Sequence, residues 1–275
     1  MNTESTGLKR LDSEERFHDS YADSLKAEEL LVDESFEALT AQENKFVLEE
    51  FGSLCGKSLL DLGCGAGESA VYFAKKGAKV TAVDISSGML RRAEELAGIH
   101  GVSIETLQLD AGDIMSLGSR FDYIYGNGVL HHMDFENMIA DVKKVLSPGG
   151  KAVFIEPFAH NFIINIYRRL AKDVRSPQEE PLKFRDIKFF RRHFKEVKHK
   201  EFWFFSLLVF VVLFLKGIHP SRERYWKYVI RHAEEYKQMF LILSSLDRVI
   251  LKVFPFLGRF CWNTVVVLEE PYHEK

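Results

Sequence analysis

Residues 59–67 read Leu59-Leu60-Asp61-Leu62-Gly63-Cys64-Gly65-Ala66-Gly67, an apolar run that breaks into three alternating glycines. Ala70, Val71 and Ala74 follow at helical spacing, so a strand over 58–62, a tight turn and a helix over 67–76 are expected. Glycine adopts turn conformations without steric cost and lets a ligand approach the backbone closely. The helix behind the turn offers unpaired N–H groups and a positive dipole end to an anionic group. In open α/β sheets, ligands bind at this carboxyl edge of the strands. A dinucleotide fingerprint would need a third glycine where Glu68 stands, and that carboxylate would meet the pyrophosphate. A nicotinamide dinucleotide, and with it an oxidoreductase, is therefore the weaker alternative.

Outward from this turn, short aliphatic or β-branched runs alternate with helical patterns from Lys57 to Pro157. That order builds a parallel sheet with helices on both faces. Further strands are expected at 79–84, 103–109, 121–126 and 151–156. A helix from Ser87 carries Met89, Leu90, Ala93, Leu96 and Ala97 on one face. Another follows Asp134 as its N-cap, and Ser147-Pro148-Gly149-Gly150 ends it as a turn. Residues 24–51 have a helical pattern broken near Thr40, giving an N-terminal helical cap over 1–52 ahead of a core at 53–158. Beyond the core, helices are expected over 161–172 and 184–194, a loop over 176–181, and strands over 197–205 and 263–268. The largely helical interval before the last strand makes 159–275 a half that completes the sheet and carries an apolar lid at about 207–258. The expected fold is α/β: a doubly wound, mostly parallel seven-stranded sheet with a helical lid inserted before the last strand.

Acids stand at successive strand ends. Asp61 precedes the glycine turn, Asp84 closes Val80-Thr81-Ala82-Val83-Asp84, and Asp110 closes Leu107-Gln108-Leu109-Asp110. With these residues the segment from Lys57 through Pro157 resembles the class I S-adenosylmethionine-dependent methyltransferases, of the type 11-like kind. The resemblance implies S-adenosylmethionine as cofactor and assigns roles that elementary chemistry supports. Asp84 is to accept both ribose hydroxyls, since a carboxylate offers two acceptor oxygens to a diol. Asp110 is to receive the adenine amino group beside the Ala111 backbone, with Ile85 and Met89 against the adenine face. Gly63, Cys64, Gly65 and Gly67 form the turn that meets the amino-acid part, whose ammonium Asp61 balances. Asn127, in Tyr125-Gly126-Asn127-Gly128-Val129-Leu130-His131-His132, is to neighbour the methionine part. His131, with His132 as a weaker candidate, has the imidazole chemistry of a general base. His18 and Tyr21 lie in a leading segment that folds over the cofactor in similar enzymes, and Glu156 and His160 leave the fifth strand at the substrate side. An acid at a strand end also serves as a plain turn or helix cap.

The rest of the sequence bounds the acceptor and the setting. The apolar stretch before the final strand resembles that of a subgroup of bacterial small-molecule methyltransferases, and such an insertion either closes as a cap over a lipid-like, polyprenyl-linked or aromatic acceptor or completes the core; the expected acceptor is a small or amphiphilic molecule. The 275 residues carry a net charge of −3, so nothing global requires nucleic acid, and no recognised nucleic-acid module accompanies the basic residues 183–200. Phe202–Leu215 is about 14 residues long, too short for a span of roughly 20, and fits a lid, core or membrane-contacting segment. The basic block before it would suit anionic headgroups. Three scattered cysteines, no metal-ligand cluster and a polar start point to a cytoplasmic protein, with peripheral contact at the inner face of a membrane as the alternative. A non-catalytic cofactor-binding scaffold is the reading from outside the enzymes.

Overall fold

The computed structural model describes residues 3–132, 135–170 and 181–272. Its helices are α1 (Thr3–Asp23), α2 (Glu34–Glu37), α3 (Gln42–Phe51), α4 (Glu68–Lys75), α5 (Ser87–Ile99), α6 (Phe135–Val145), α7 (Phe162–Leu170), α8 (Ile187–His193), α9 (Leu208–Leu215), α10 (Tyr225–Arg231) and α11 (Lys237–Val253). The strands are β1 (Ser58–Leu62), β2 (Lys79–Asp84), β3 (Glu105–Gln108), β4 (Phe121–Asn127), β5 (Leu146–Pro157), β6 (Phe194–Phe202) and β7 (Asn263–Pro271). They form one seven-stranded sheet in the order β3-β2-β1-β4-β5-β7-β6. β1 runs parallel to both β2 and β4, β2 parallel to β3, and β6 antiparallel to β7. Leu59, Leu60, Ala82, Val83 and Ile124 are fully buried, as strands covered on both faces require. Because β1 sits between β2 and β4, the connections after β1 and β4 leave in opposite directions and open the crevice where such sheets bind ligands.

The chain divides into two compact units, Met1–Val32 with Ser53–Val129 and Met133–Ala152, and Asp33–Gly52 with Leu130–His132 and Val153–Lys275. The first 52 residues are thus shared between the units, and the apolar stretch 207–258 lies wholly in the second.

Several local expectations change. The helical reading of 24–51 holds only for α3; ahead of it stand a 3-10 turn at Ala27–Glu29 and the single turn α2. The helix of this region lies earlier, in α1, which is too polar for its period to be read and is held by polar bonds instead. Ser147-Pro148-Gly149-Gly150 lies within β5 rather than ahead of it, with Gly149 at φ +74°. Phe194 opens β6 instead of ending a helix, and β6 stops at Phe202 because Trp203 turns the chain at φ +67°. The Asp134 cap, the side chain of His132, residues 171 and 172 of the helix expected over 161–172, and residues 176–180 of the expected loop lie outside the described residues.

Phe202–Leu215 contributes mainly to the core of the second unit: Trp203, Leu207, Val209, Phe210 and Leu213 are buried. Trp203 and Phe210 stack edge-on and tilted against Trp262, Phe240 and Tyr225. The basic block ahead of it is partly engaged, since Lys198 pairs with Glu50 and Glu269 and Lys200 lies over the rings of Phe46 and Phe202.

Candidate functional site

The first unit brings the glycine turn and the end of β2 together. Asp84 is buried, and its Oδ2 accepts the Gly65 N–H at 2.8 Å while Oδ1 accepts the Ser86 N–H at 2.9 Å. One carboxylate therefore fixes the turn and the start of α5 and keeps further lone pairs on both oxygens. Burial raises its pKa above the usual carboxylate range, against the bonds from Ser86 and Gly65 and the nearby His18.

Asp61 lies deeper. Its Oδ2 accepts the Ser69 hydroxyl at 2.6 Å, yet burial, reinforced by the charge of Asp84, pushes its pKa up to about 7. Two neighbouring buried acids with raised pKa values form a place where a cation is favoured. Cys64 is buried and its thiol pKa is also raised by burial, so it is a wall residue and not a nucleophile.

The glycines divide by task. A Cβ on Gly65, at φ +53°, would meet nothing within 4 Å, so the turn presents open backbone there. A Cβ on Gly63 would touch Val129 at 3.0 Å. On Gly67, at φ +85°, it would stand 2.5 Å from the Ala93 Cβ, so that glycine is explained by the packing of α5 against the turn. Glu68 turns its carboxylate, expected where a pyrophosphate would come, to the Leu31 N–H instead, accepting at 2.9 Å, and ties down the chain after α1.

Around the adenine-side candidates, Ile85 is half-buried, while Met89 is buried in a cluster with Ala22 and Ala66, with Tyr21 packed alongside. Asp110 caps the 3-10 turn Ala111–Leu117 through the Gly112 N–H at 2.9 Å on Oδ1, which leaves Oδ2 for a ligand; Ala111 is half-buried beside it. Asn127 ends β4 and is exposed.

Sequence reasoning missed Asp19. Its Oδ1 accepts the Ser86 hydroxyl at 2.6 Å and the Gly88 N–H at 2.9 Å, bonds that hold its pKa below the usual range. Arg92 reaches back to the Ala22 carbonyl, so α1 is fastened along α5 beside the end of β2. The only sequence signal was the flanking pair His18 and Tyr21.

The second unit contains a separate dyad. His131 is buried, and its Nδ1 lies 2.7 Å from Oε2 of the fully buried Glu156, whose Oε1 accepts the Leu130 N–H at 2.7 Å. Glu156 thus holds both the His131 ring and the Leu130 backbone. His160 is exposed, and Asn161 caps α7 by accepting the Ile164 N–H. Among the described residues no group of three or more potential ligands could hold a metal ion.

Comparison with known proteins fits this geometry. Residues 59–150 match a family described as Methyltransferase domain. A ubiquinone biosynthesis O-methyltransferase of Pseudomonas syringae pv. tomato is 32% identical over 109 residues, which is 39% of this chain and 47% of that protein. The chloroplastic magnesium protoporphyrin IX methyltransferase of Arabidopsis thaliana is 29% identical over 135 residues, 49% of this chain and 43% of that protein. The chain spans less than half of either relative's own length. A solved phosphoethanolamine N-methyltransferase of Haemonchus contortus superposes with a TM-score of 0.52 at 19% identity, covering 84% of this chain and 53% of that one, a likeness of fold alone. The matched residues begin on β1 and take in the glycine turn, Asp84 and Asp110, so the segment 59–150 is a methyltransferase domain similar to those of the class I S-adenosylmethionine-dependent methyltransferases.

Proposed function

We propose that this protein transfers a methyl group from S-adenosylmethionine to an oxygen, nitrogen or carbon nucleophile of a small or amphiphilic acceptor. The observation that carries the reading is the bond from the Gly65 N–H to Asp84, which joins a bare glycine turn to an acid able to hold a ribose diol. Asp84 binds the two ribose hydroxyls, Asp110 the adenine amino group beside Ala111, and Ile85 and Met89 form the apolar side of the adenine pocket. Gly63, Cys64, Gly65 and Gly67 shape the turn beside the methionine part, Asp61 balances its ammonium, and Asn127 hydrogen-bonds the same part. When bound, the cofactor supplies an electrophilic methyl and departs as a neutral thioether. The chain has to align the acceptor and exclude water, which is the entropic share of catalysis.

His131 takes the proton from the acceptor, and Glu156 orients its ring through Nδ1, the arrangement of a general base with a carboxylate behind it. The relatives named for ubiquinone biosynthesis and magnesium protoporphyrin support an acceptor with a large apolar part. The nicotinamide alternative has no support in the matched family. The scattered cysteines support a cytoplasmic setting, with peripheral contact at the inner face of a membrane as the alternative.

Calorimetry tests the cofactor. S-adenosylhomocysteine is expected to bind saturably, and Asp84→Ala to weaken it by about 2–3 kcal/mol, the scale of charge-assisted hydrogen bonds. Binding of NADH with none of S-adenosylhomocysteine would overturn the reading, and unchanged affinity in the variant would remove Asp84 from the site. In a cell extract given methyl-labelled cofactor, label in an acceptor is expected; label in none with the site occupied would favour the scaffold.

A further inference from the structure

The second unit carries an apolar face that its own core does not use. In α11, Phe240, Ser244 and Asp247 are buried, whereas Ile242, Leu246, Val249 and Val253 are exposed by 63%, 47%, 60% and 60%. Their spacing, i, i+4, i+7 and i+11, makes one stripe on the side of the helix away from the buried residues. The chain continues through Phe254, exposed by 44%, into Phe256 and Phe260 of the turn Pro255–Phe260, exposed by 55% and 40%. Single exposed apolar side chains are ordinary, but eight between Leu241 and Phe260, Leu241 lying beside the stripe, are a surface that excludes water poorly unless something covers it.

The charges in this segment choose the cover. From Lys237 to Trp262 they are Lys237, Asp247, Arg248, Lys252 and Arg259, and the one acid is buried. Asp247 faces inward and accepts the N–H groups of Phe204, Phe205 and Ser206 and the Ser206 hydroxyl. Lys237 is paired with Glu234 at the start of the helix, so the exposed charges along the stripe and the turn are the cations Arg248, Lys252 and Arg259, in a chain whose net charge is −3. A second copy on this face would set cations against cations with no exposed acid to receive them, whereas an anionic bilayer offers phosphates to the cations and acyl chains to the stripe. No helix among the described residues is long and apolar enough to cross a membrane, which suits a helix lying in the interface plane.

We propose that α11 and the turn after it seat the protein peripherally on a membrane rich in anionic lipid. The surface differs from the one the sequence suggested, the basic block 183–200 followed by Phe202–Leu215, because Val209, Phe210 and Leu213 of that stretch are consumed by the core. Membrane seating places an enzyme where an amphiphilic acceptor would be concentrated. It does not rest on the methyl-transfer reading, because vesicle binding is measured without cofactor or acceptor.

The test is co-sedimentation of the full chain with vesicles of phosphatidylglycerol and phosphatidylcholine, compared with pure phosphatidylcholine. Binding to the mixed vesicles, weakened by salt, is expected, and the double variant Val249→Asp with Phe256→Asp should lose it at least ten-fold while circular dichroism stays native. Lys252→Gln with Arg259→Gln should lose it several-fold and flatten the salt dependence. The proposal is overturned if the native protein ignores mixed vesicles, if both vesicle types bind equally, or if the aspartate variant binds as well as the parent. A dimer by light scattering that this variant breaks, with no vesicle binding, would assign the face to a second copy instead.

Discussion

Buried acids in the two units answer to different demands. Asp247 in α11 receives three backbone N–H groups and a hydroxyl, so its own chain supplies both oxygens with donors. Asp61, at the glycine turn, is as deeply buried but has the Ser69 hydroxyl and the Ala70 backbone, and burial drives its pKa to about 7. An acid whose donors come from its own fold holds that fold together. One left short of donors in a pocket is held in readiness for a cationic group from outside.

The largest expected effect breaks the first of these. Asp247→Ala would strand the amides that follow the Trp203 turn, where the backbone is already left-handed at φ +67°. A loss of about 3–4 kcal/mol is expected in urea unfolding, given roughly 1–3 kcal/mol for each buried group left without a partner. A loss below about 1 kcal/mol would show that water replaces the carboxylate and that the contrast with Asp61 is false.

A pair of glycine variants sharpens the contrast within the first unit. Gly67→Ala puts a methyl 2.5 Å from the Ala93 Cβ at a positive φ, and is expected to lower stability by about 2–3 kcal/mol through strain and overpacking. Gly65→Ala meets no neighbour, so its stability loss should be about 1–2 kcal/mol while S-adenosylhomocysteine binding falls more than stability does. The reverse pattern, with Gly67→Ala stable and binding poorly, would exchange their roles.

These residues also explain what could be read from the sequence. β1 and β2 fall on their expected bounds because period, glycine punctuation and terminal acids agree there at short range. α1 escaped because Asp19 and Arg92 fasten it to α5 by polar contacts that an apolar period does not register. Glu156 was visible as a strand-end acid, but its partner His131 lies 25 positions away, and one sequence does not pair distant residues. In the apolar stretch 207–258, composition announced apolar helices without saying which side of α11 the core would use; that follows from Phe240 and Asp247 meeting their partners across the chain.

The last prediction bears on Asp61 alone and follows from its raised pKa. In the unfolded chain the carboxyl titrates near 3.8 and in the folded protein near 7, so between these values the folded state holds a proton that the unfolded state has released. Stability without cofactor should therefore fall as pH rises from about 4 to 7, with no further change from this group above 7. Asp61→Asn removes that slope, because an amide does not charge, and at pH 8 it should be no less stable than the parent. Cofactor binding should respond in the opposite sense. An ammonium is received better by the ionised acid, so S-adenosylhomocysteine affinity should weaken as pH falls below 7, by less than ten-fold per unit, and the asparagine variant should bind weakly with a flatter profile. Calorimetry across this range decides the matter: parallel profiles for parent and variant would mean that Asp61, like Asp247, serves only its own fold.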